Sequence, residues 1–123
     1  MTPDETVTEF IRRITSHDLD GALGLCADDL EYDNVPMETL HGKDAARQFL
    51  APLVGDEVGV DWVVHQQVAA GDLVMNERTD GFQFGGMRVE LPVAGLFRVR
   101  DGAITLWRDY FDMRTFETQM AGG

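Results

Sequence analysis

The feature that most constrains the fold is a change of hydrophobic period near Val58. Before it, apolar residues recur at helical spacing; after it, they alternate. "TPDETVTEFIRRI" carries helix-start signals: Thr2 as cap, Pro3 at the first helical position, and Asp4 and Glu5 at the positive helix end. Val7, Phe10, Ile11 and Ile14 then make one apolar face. "SHDLDGALGLC" predicts a second short helix, with Leu19, Ala22, Leu23 and Cys26 on one side. "DLEYDNVP" predicts a short strand ended by Pro36, and "GKDAARQFLAPLV" a third helix broken near Pro52. From Val58 onward, "VGVDWVVHQQVAA", "DLVMNERTDGFQF", "MRVELPVAGLFRVR" and "AITLWRDYF" read as four strands. "AAGD", "FGGM" and "RDGA" are the turns between them. "RDGA" is the strongest hairpin signal, because Asp-Gly supplies positive φ angles.

Helices followed by an antiparallel meander predict an α+β fold with helices on one face of a sheet. A strongly curved sheet with helices across its concave side encloses a pocket, and Gly81, Gly85, Gly86 and Gly95 offer places to bend. A length of 123 residues, 44% of them apolar, suits one domain over 1–123 with one core. The formal charge of −12 argues against nucleic acid and anionic membranes as partners. Cys26 is the only cysteine, so no intrachain disulfide forms, and its apolar run makes it a small buried hydrophobe. The N-terminal "MTPDETVTEF" is unlike a secretory or transit peptide and no apolar run reaches membrane-spanning length, so the expected compartment is cytoplasmic.

The alternation places charges where a core belongs. In "LVMNERTDGFQF", Val74, Asn76, Arg78, Asp80, Phe82 and Phe84 share one side, and Met75, Glu77, Thr79 and Gln83 the other. In the last strand, Thr105, Trp107, Asp109 and Phe111 form the bulkier side. In the first, Leu30, Tyr32 and Asn34 face inward. The inward polar set is therefore Tyr32, Asn34, Arg78, Asp80 and Asp109.

A buried charge is costly unless paired, and Arg78 can bridge both aspartates with its planar fork of donors. Such a network either fixes strand register or does chemistry; alternation alone does not choose. Two carboxyls beside one arginine have unequal proton affinities, which yields a general acid and a general base in one pocket. Tyr32 and Asn34 add neutral groups able to hold a water. The set suits adding water to a strained electrophile or moving a proton beside a carbonyl. His17, His41 and His65 are scattered, so no metal site is expected. There is no nucleophile elbow, Walker loop or dinucleotide loop.

The Tyr-x-Asn of "YDN", the Arg-x-Asp of "RTD" and the run "WRDYFD", in that order, resemble the limonene-1,2-epoxide hydrolase family. That family lies within the NTF2-like, or SnoaL-like, fold. The resemblance implies a cone with a strongly curved, six-stranded mixed sheet, a deep apolar pocket and a homodimer. It implies epoxide opening in one step, without a cofactor. Asp109 would deprotonate water, Tyr32 and Asn34 would hold that water, Asp80 would protonate the epoxide oxygen, and Arg78 would bridge the aspartates. Val35, Met37, Leu40, Phe82, Phe84, Leu91, Val93 and Trp107 are the candidate substrate-binding residues for an apolar epoxide. The alternatives are a ketosteroid-isomerase-like or polyketide-cyclase-like enzyme on the same fold, or a non-catalytic small-molecule-binding module.

Overall fold

Helix α1 (Pro3–Thr15) starts on a full capping box in the computed structural model, which describes residues 1–122. Glu5 N–H donates to Thr2 Oγ1 (3.1 Å) and Thr2 N–H donates to Glu5 Oε1 (2.9 Å). Then follow α2 (Leu19–Leu23), β1 (Cys26–Val35), β2 (Leu40–His41), α3 (Lys43–Val54), β3 (Gly59–Ala70), β4 (Leu73–Phe84), β5 (Met87–Arg100), β6 (Ala103–Tyr110) and α4 (Met113–Met120). Among the described residues, no helix is long and apolar enough to cross a membrane.

The strands form one open six-stranded sheet in the order β2-β1-β6-β5-β4-β3. β3 to β6 are the antiparallel meander, and β1 runs parallel to β6, which makes the sheet mixed. At the "RDGA" turn, Asp101 and Gly102 take φ of 52° and 76°, the positive pair that a tight hairpin requires. Val7, Phe10, Ile11 and Ile14 of α1 are buried against the sheet. There Phe10 meets Trp107 edge-on at 4.9 Å and Phe97 at 6.2 Å.

Several elements depart from the sequence expectation. Cys26 is buried but begins β1 instead of closing α2; burial pushes its thiol up to about 12. Pro52 does not break α3, because Leu50 and Val54 on either side of it are held in the core. The edge strand β2 and the terminal helix α4 were not anticipated: β2 has two residues, too few for a period, and α4 has no buried residue. The sheet's irregularities fall at positions other than the glycines. Register shifts lie between Cys26 and Glu31, between Val64 and Gln66, and between Arg98 and Val99, whereas Gly81 and Gly95 sit in unbroken register. The last shift corrects one face assignment. Val99 pairs with Ile104 and Arg98 with Leu106, so Thr105 is the extra residue and Ile104, not Thr105, joins Trp107 in the core.

Phe10 joins the helix layer to the floor of the sheet. Phe10→Ala is expected to cost about 3–5 kcal/mol of unfolding free energy, read from urea denaturation. Retention of wild-type stability would place the main helix–sheet contact elsewhere.

Candidate active site

Register brings the inward polar residues together. Asn34, Asp109, Gly95 and Asn76 lie directly across from one another on β1, β6, β5 and β4. Arg78 is next on the inward side of β4, one step from Asn76, and Asp80 follows it. To reach Asp109, the Arg78 side chain must cross β5, since strands lie about 4.8 Å apart. The residue in its way is Gly95. A Cβ built there would stand 2.5 Å from Arg78 Nη1, 2.8 Å from Asn76 Oδ1 and 3.0 Å from Asp109 Oδ1. Gly95 is thus a space for the guanidinium, not a bend.

Arg78 is 1% exposed and is held on three sides. Nε donates to Asp80 Oδ1 (2.9 Å), and Nη2 to Asp80 Oδ2 (3.0 Å) and Asp109 Oδ2 (2.8 Å). Nη1 donates to Asn76 Oδ1 (3.0 Å). Trp62 packs over the guanidinium, 5.5 Å from Cζ to ring centroid. Asp109 Oδ1 accepts from Trp107 Nε1 at 2.9 Å. Burial pushes the Asp80 carboxyl up to about 6; Arg78 opposes the rise and Asp109 adds to it. Burial, and after it Asp109, holds the Tyr32 phenol well above its ordinary range. Burial works to lower the Arg78 pKa, but Asp109 and Asp80 outweigh it, so the guanidinium stays charged. Among the described residues, no three His, Cys, Asp or Glu side chains converge as metal ligands.

These groups lie at a cavity of about 400 Å³, within the size range of small-molecule sites. Tyr32, Asn34, Asp80 and Asp109 face into it; Arg78 lies behind the two aspartates and does not line it. Of the anticipated apolar lining, Met37, Phe82, Leu91 and Val93 are in the wall. Four residues are not. Val35 alternates away from Tyr32 and Asn34 on β1. Leu40, on the edge strand, packs against the core instead. Phe84 stacks on Phe82, which stands between it and Asp80 on the inward side of β4. Trp107 is fully covered, with Tyr32 stacked on it at 4.0 Å and Phe97 at 6.2 Å, so it is a floor beneath the site.

Much of the wall was not anticipated. Helix α3 supplies Gln48, Phe49, Leu50, Pro52 and Leu53. Trp62 lines it from β3, where its alternation with Val60 and Val64 could have revealed it. Its Nε1 is buried without a hydrogen-bond partner among the described residues. Phe111, Met113 and Phe116 close the cavity from the C-terminal segment, where the helical spacing of Met113, Phe116 and Met120 was the available signal.

A helix across an open, curved six-stranded sheet, with a few polar side chains in an otherwise apolar cavity wall, defines an NTF2-like, or SnoaL-like, protein. A SnoaL-like polyketide cyclase described from Shewanella putrefaciens superposes with a TM-score of 0.83 at 19% identity, covering 98% of this chain and 97% of that one. That likeness concerns the fold alone. More specific is the match of residues 1–121 to a model of the limonene-1,2-epoxide hydrolase catalytic domain. The chain is also 38% identical over 107 residues to the epoxide hydrolase EphG of Mycobacterium tuberculosis, spanning 87% of this chain and 71% of that protein. The structure of an LEH-like epoxide hydrolase from M. tuberculosis superposes with a TM-score of 0.86 at 34% identity, covering 98% of this chain and 90% of that one. The chain belongs to the limonene-1,2-epoxide hydrolase family, and it is an epoxide hydrolase of that type.

Gly95→Ala is expected to cost about 1–3 kcal/mol, because its methyl displaces the guanidinium and the carboxamide together. Gly86→Ala, with nothing within 4 Å of the added methyl, is the control and should stay within about 0.5 kcal/mol of wild type. Equal stabilities for the two variants, by chemical denaturation, would refute the spacing role of Gly95.

Proposed function

We propose that the protein hydrolyses an apolar epoxide to a vicinal diol in one step, by general acid/base catalysis through Asp80, Arg78 and Asp109. The observation that carries this reading is one buried guanidinium bonded to both carboxyls, each of which faces an apolar cavity. Asp80, with its raised proton affinity, is the acid: its proton passes to the epoxide oxygen as the C–O bond breaks. Asp109 is the base: it takes a proton from water as the water oxygen bonds to carbon. Asn34 lies directly across from Asp109 on the neighbouring strand and, with Tyr32, orients that water.

Over one turnover a negative charge leaves Asp109 and another appears on Asp80. Arg78 Nη2 touches both carboxyls, so the charge moves within reach of the same cation. A proton returned through solvent restores the starting state. The apolar wall of Phe49, Leu53, Trp62, Phe82, Leu91 and Val93 favours a hydrocarbon body for the substrate.

The pair is a poor device for stability alone. Buried ion pairs are often matched or bettered by apolar replacements, whereas removing one partner costs about 3–5 kcal/mol. An acid and a base held by one cation therefore fit catalysis better than register. They also fit epoxide opening better than isomerisation, which needs a single base and a donor for an enolate oxygen.

We also propose that the enzyme is a homodimer, joined through the sheet face opposite the cavity. On that face Met75 and Tyr110 are 51% and 47% exposed. Sedimentation at micromolar concentration should give twice the chain mass; a monomer would overturn the dimer.

In ¹⁸O-labelled water, a panel of apolar epoxides should yield diol carrying the label. Asp80→Asn and Asp109→Asn should each lower kcat by about 10²–10⁴-fold. Glu77→Gln, on the exposed side of the same strand, should stay near wild type. Activity of the wild type should fall as pH rises above about 6, where Asp80 loses its proton. Label retained in the protein after one turnover would indicate an aspartyl ester and overturn the one-step route. Steroid isomerisation without epoxide hydrolysis would favour the other chemistry.

A further inference from the structure

Asn76 and Gln67 are polar, directed inward and absent from the cavity wall. Asn76 is 5% exposed. Its Oδ1 accepts from Arg78 Nη1 (3.0 Å) and its Nδ2 donates to Gln67 Oε1 (3.0 Å). Gln67 Nε2 in turn donates to Asp4 Oδ1 (2.8 Å), Thr8 Oγ1 (3.0 Å) and the Asp4 carbonyl (3.3 Å), all on α1.

The polarity of this chain is set at both ends. A guanidinium only donates, so it must meet the oxygen end of Asn76. The nitrogen end then needs an acceptor, which Gln67 Oε1 supplies. The Gln67 nitrogen then points outward and needs acceptors of its own, and the Asp4 carboxylate and carbonyl provide them. Turning either amide over would set donor against donor at Arg78 or acceptor against acceptor at Asp4.

A sheet irregularity makes the chain possible. Trp62 pairs with Asp80 and Val64 with Arg78, so even-numbered residues of β3 face inward up to Val64. Unbroken alternation would turn Gln66 inward next. His65 is the extra residue of the bulge, which passes the inward place to Gln67, opposite Asn76.

We propose that Asn76 and Gln67 are positioning residues: an amide relay anchored on α1 that holds the guanidinium of Arg78, and through it the placement of Asp80 and Asp109. The proposal rests on the reading of those three residues as the reacting set. The relay grips Nη1, the one guanidinium nitrogen that neither aspartate touches. Without that grip the guanidinium can turn about its Cδ–Nε bond, and Nη2 loses its shared position between the carboxyls.

The test uses Asn76→Leu, Asn76→Asp and Gln67→Leu in the full chain, each checked for a cooperative melt. Asn76→Leu should lower kcat by about 10–100-fold with little change in KM, as for loss of one hydrogen bond to a charged group. Asn76→Asp adds a carboxylate that competes for Arg78. The charged or titratable groups facing Asp80 are Arg78, Asp109 and Tyr32. A further negative charge there should raise the Asp80 titration midpoint, followed by ¹³C NMR of its carboxyl carbon, by about one unit. In Asn76→Leu the loosened guanidinium opposes the Asp80 rise less, so the midpoint should go up there too. Gln67→Leu, at a half-buried position, should lower kcat and raise the midpoint in the same directions and less far, and it decides the matter if neither Asn76 variant folds. Wild-type kcat together with an unmoved Asp80 midpoint in the folded variants would overturn the relay. The NMR readout is independent of turnover. A midpoint shifted in Asn76→Leu or Gln67→Leu, in a protein whose wild type opens no epoxide, would keep the relay and overturn the proposed reaction.

Discussion

The structure depends on one guanidinium reaching across one strand. Arg78 starts on β4 and ends between carboxyls from β4 and β6, passing over Gly95 of β5. The approach demands that three strands hold a common register and that the middle one offer no side chain. It also requires the desolvation of one cation and two carboxyls to be offset by their mutual contacts. Every strong donor direction of the guanidinium but one nitrogen's is spent on the aspartates, and that nitrogen is held by Asn76. The same low-dielectric setting that makes the arrangement costly raises the proton affinity of Asp80.

A second constraint lies beneath the charges. Trp107 is fully buried, stacked against Tyr32 on one side and Phe97 on the other, with Phe10 of α1 at its edge. Its indole N–H is directed at Asp109. The aromatic layer thus links the helix layer to the proposed base while leaving the Tyr32 phenol at the cavity. Stacked aromatic pairs contribute only about 0.5–1.5 kcal/mol each beyond their burial. Their larger effect is to leave the polar edges above them few alternative positions.

Fold and chemistry separate cleanly in this molecule. A cone with a TM-score of 0.83 occurs in a protein described as a polyketide cyclase at 19% identity, so the sheet alone does not specify a reaction. In the present chain the inward positions of β1, β4 and β6 carry Tyr32, Asn34, Arg78, Asp80 and Asp109. The wall facing them comes from α3 and the C-terminal segment, and it is apolar at nearly every position except Gln48. Two carboxyls in a largely hydrocarbon wall make a site of mixed character, with few polar groups to contact whatever it holds.

The sequence by itself determined the period of the five longer strands, the α1 cap, the hairpin at Asp101–Gly102 and the side on which Arg78, Asp80, Asp109, Tyr32 and Asn34 stand. These are local properties: alternation and turn chemistry act within a few residues, so neighbouring letters carry them. Only the tertiary structure decided what bulges and packing do to that alternation. The extra residues at His65 and Thr105 exchange inward and outward places, bringing Gln67 to Asn76 and Ile104 into the core. No local pattern marks either site, because a bulge is a mismatch between two strands and belongs to neither sequence alone. Tertiary structure also decided that Val35, Leu40, Phe84 and Trp107 stand outside the cavity while α3, Trp62 and the C-terminal segment wall it. Parity tells which way a side chain points, but what it meets there depends on elements far away in the chain. Gly95 shows the division most sharply: in the sequence it is an ordinary break in a strand, and in the fold it is the space through which Arg78 reaches Asp109.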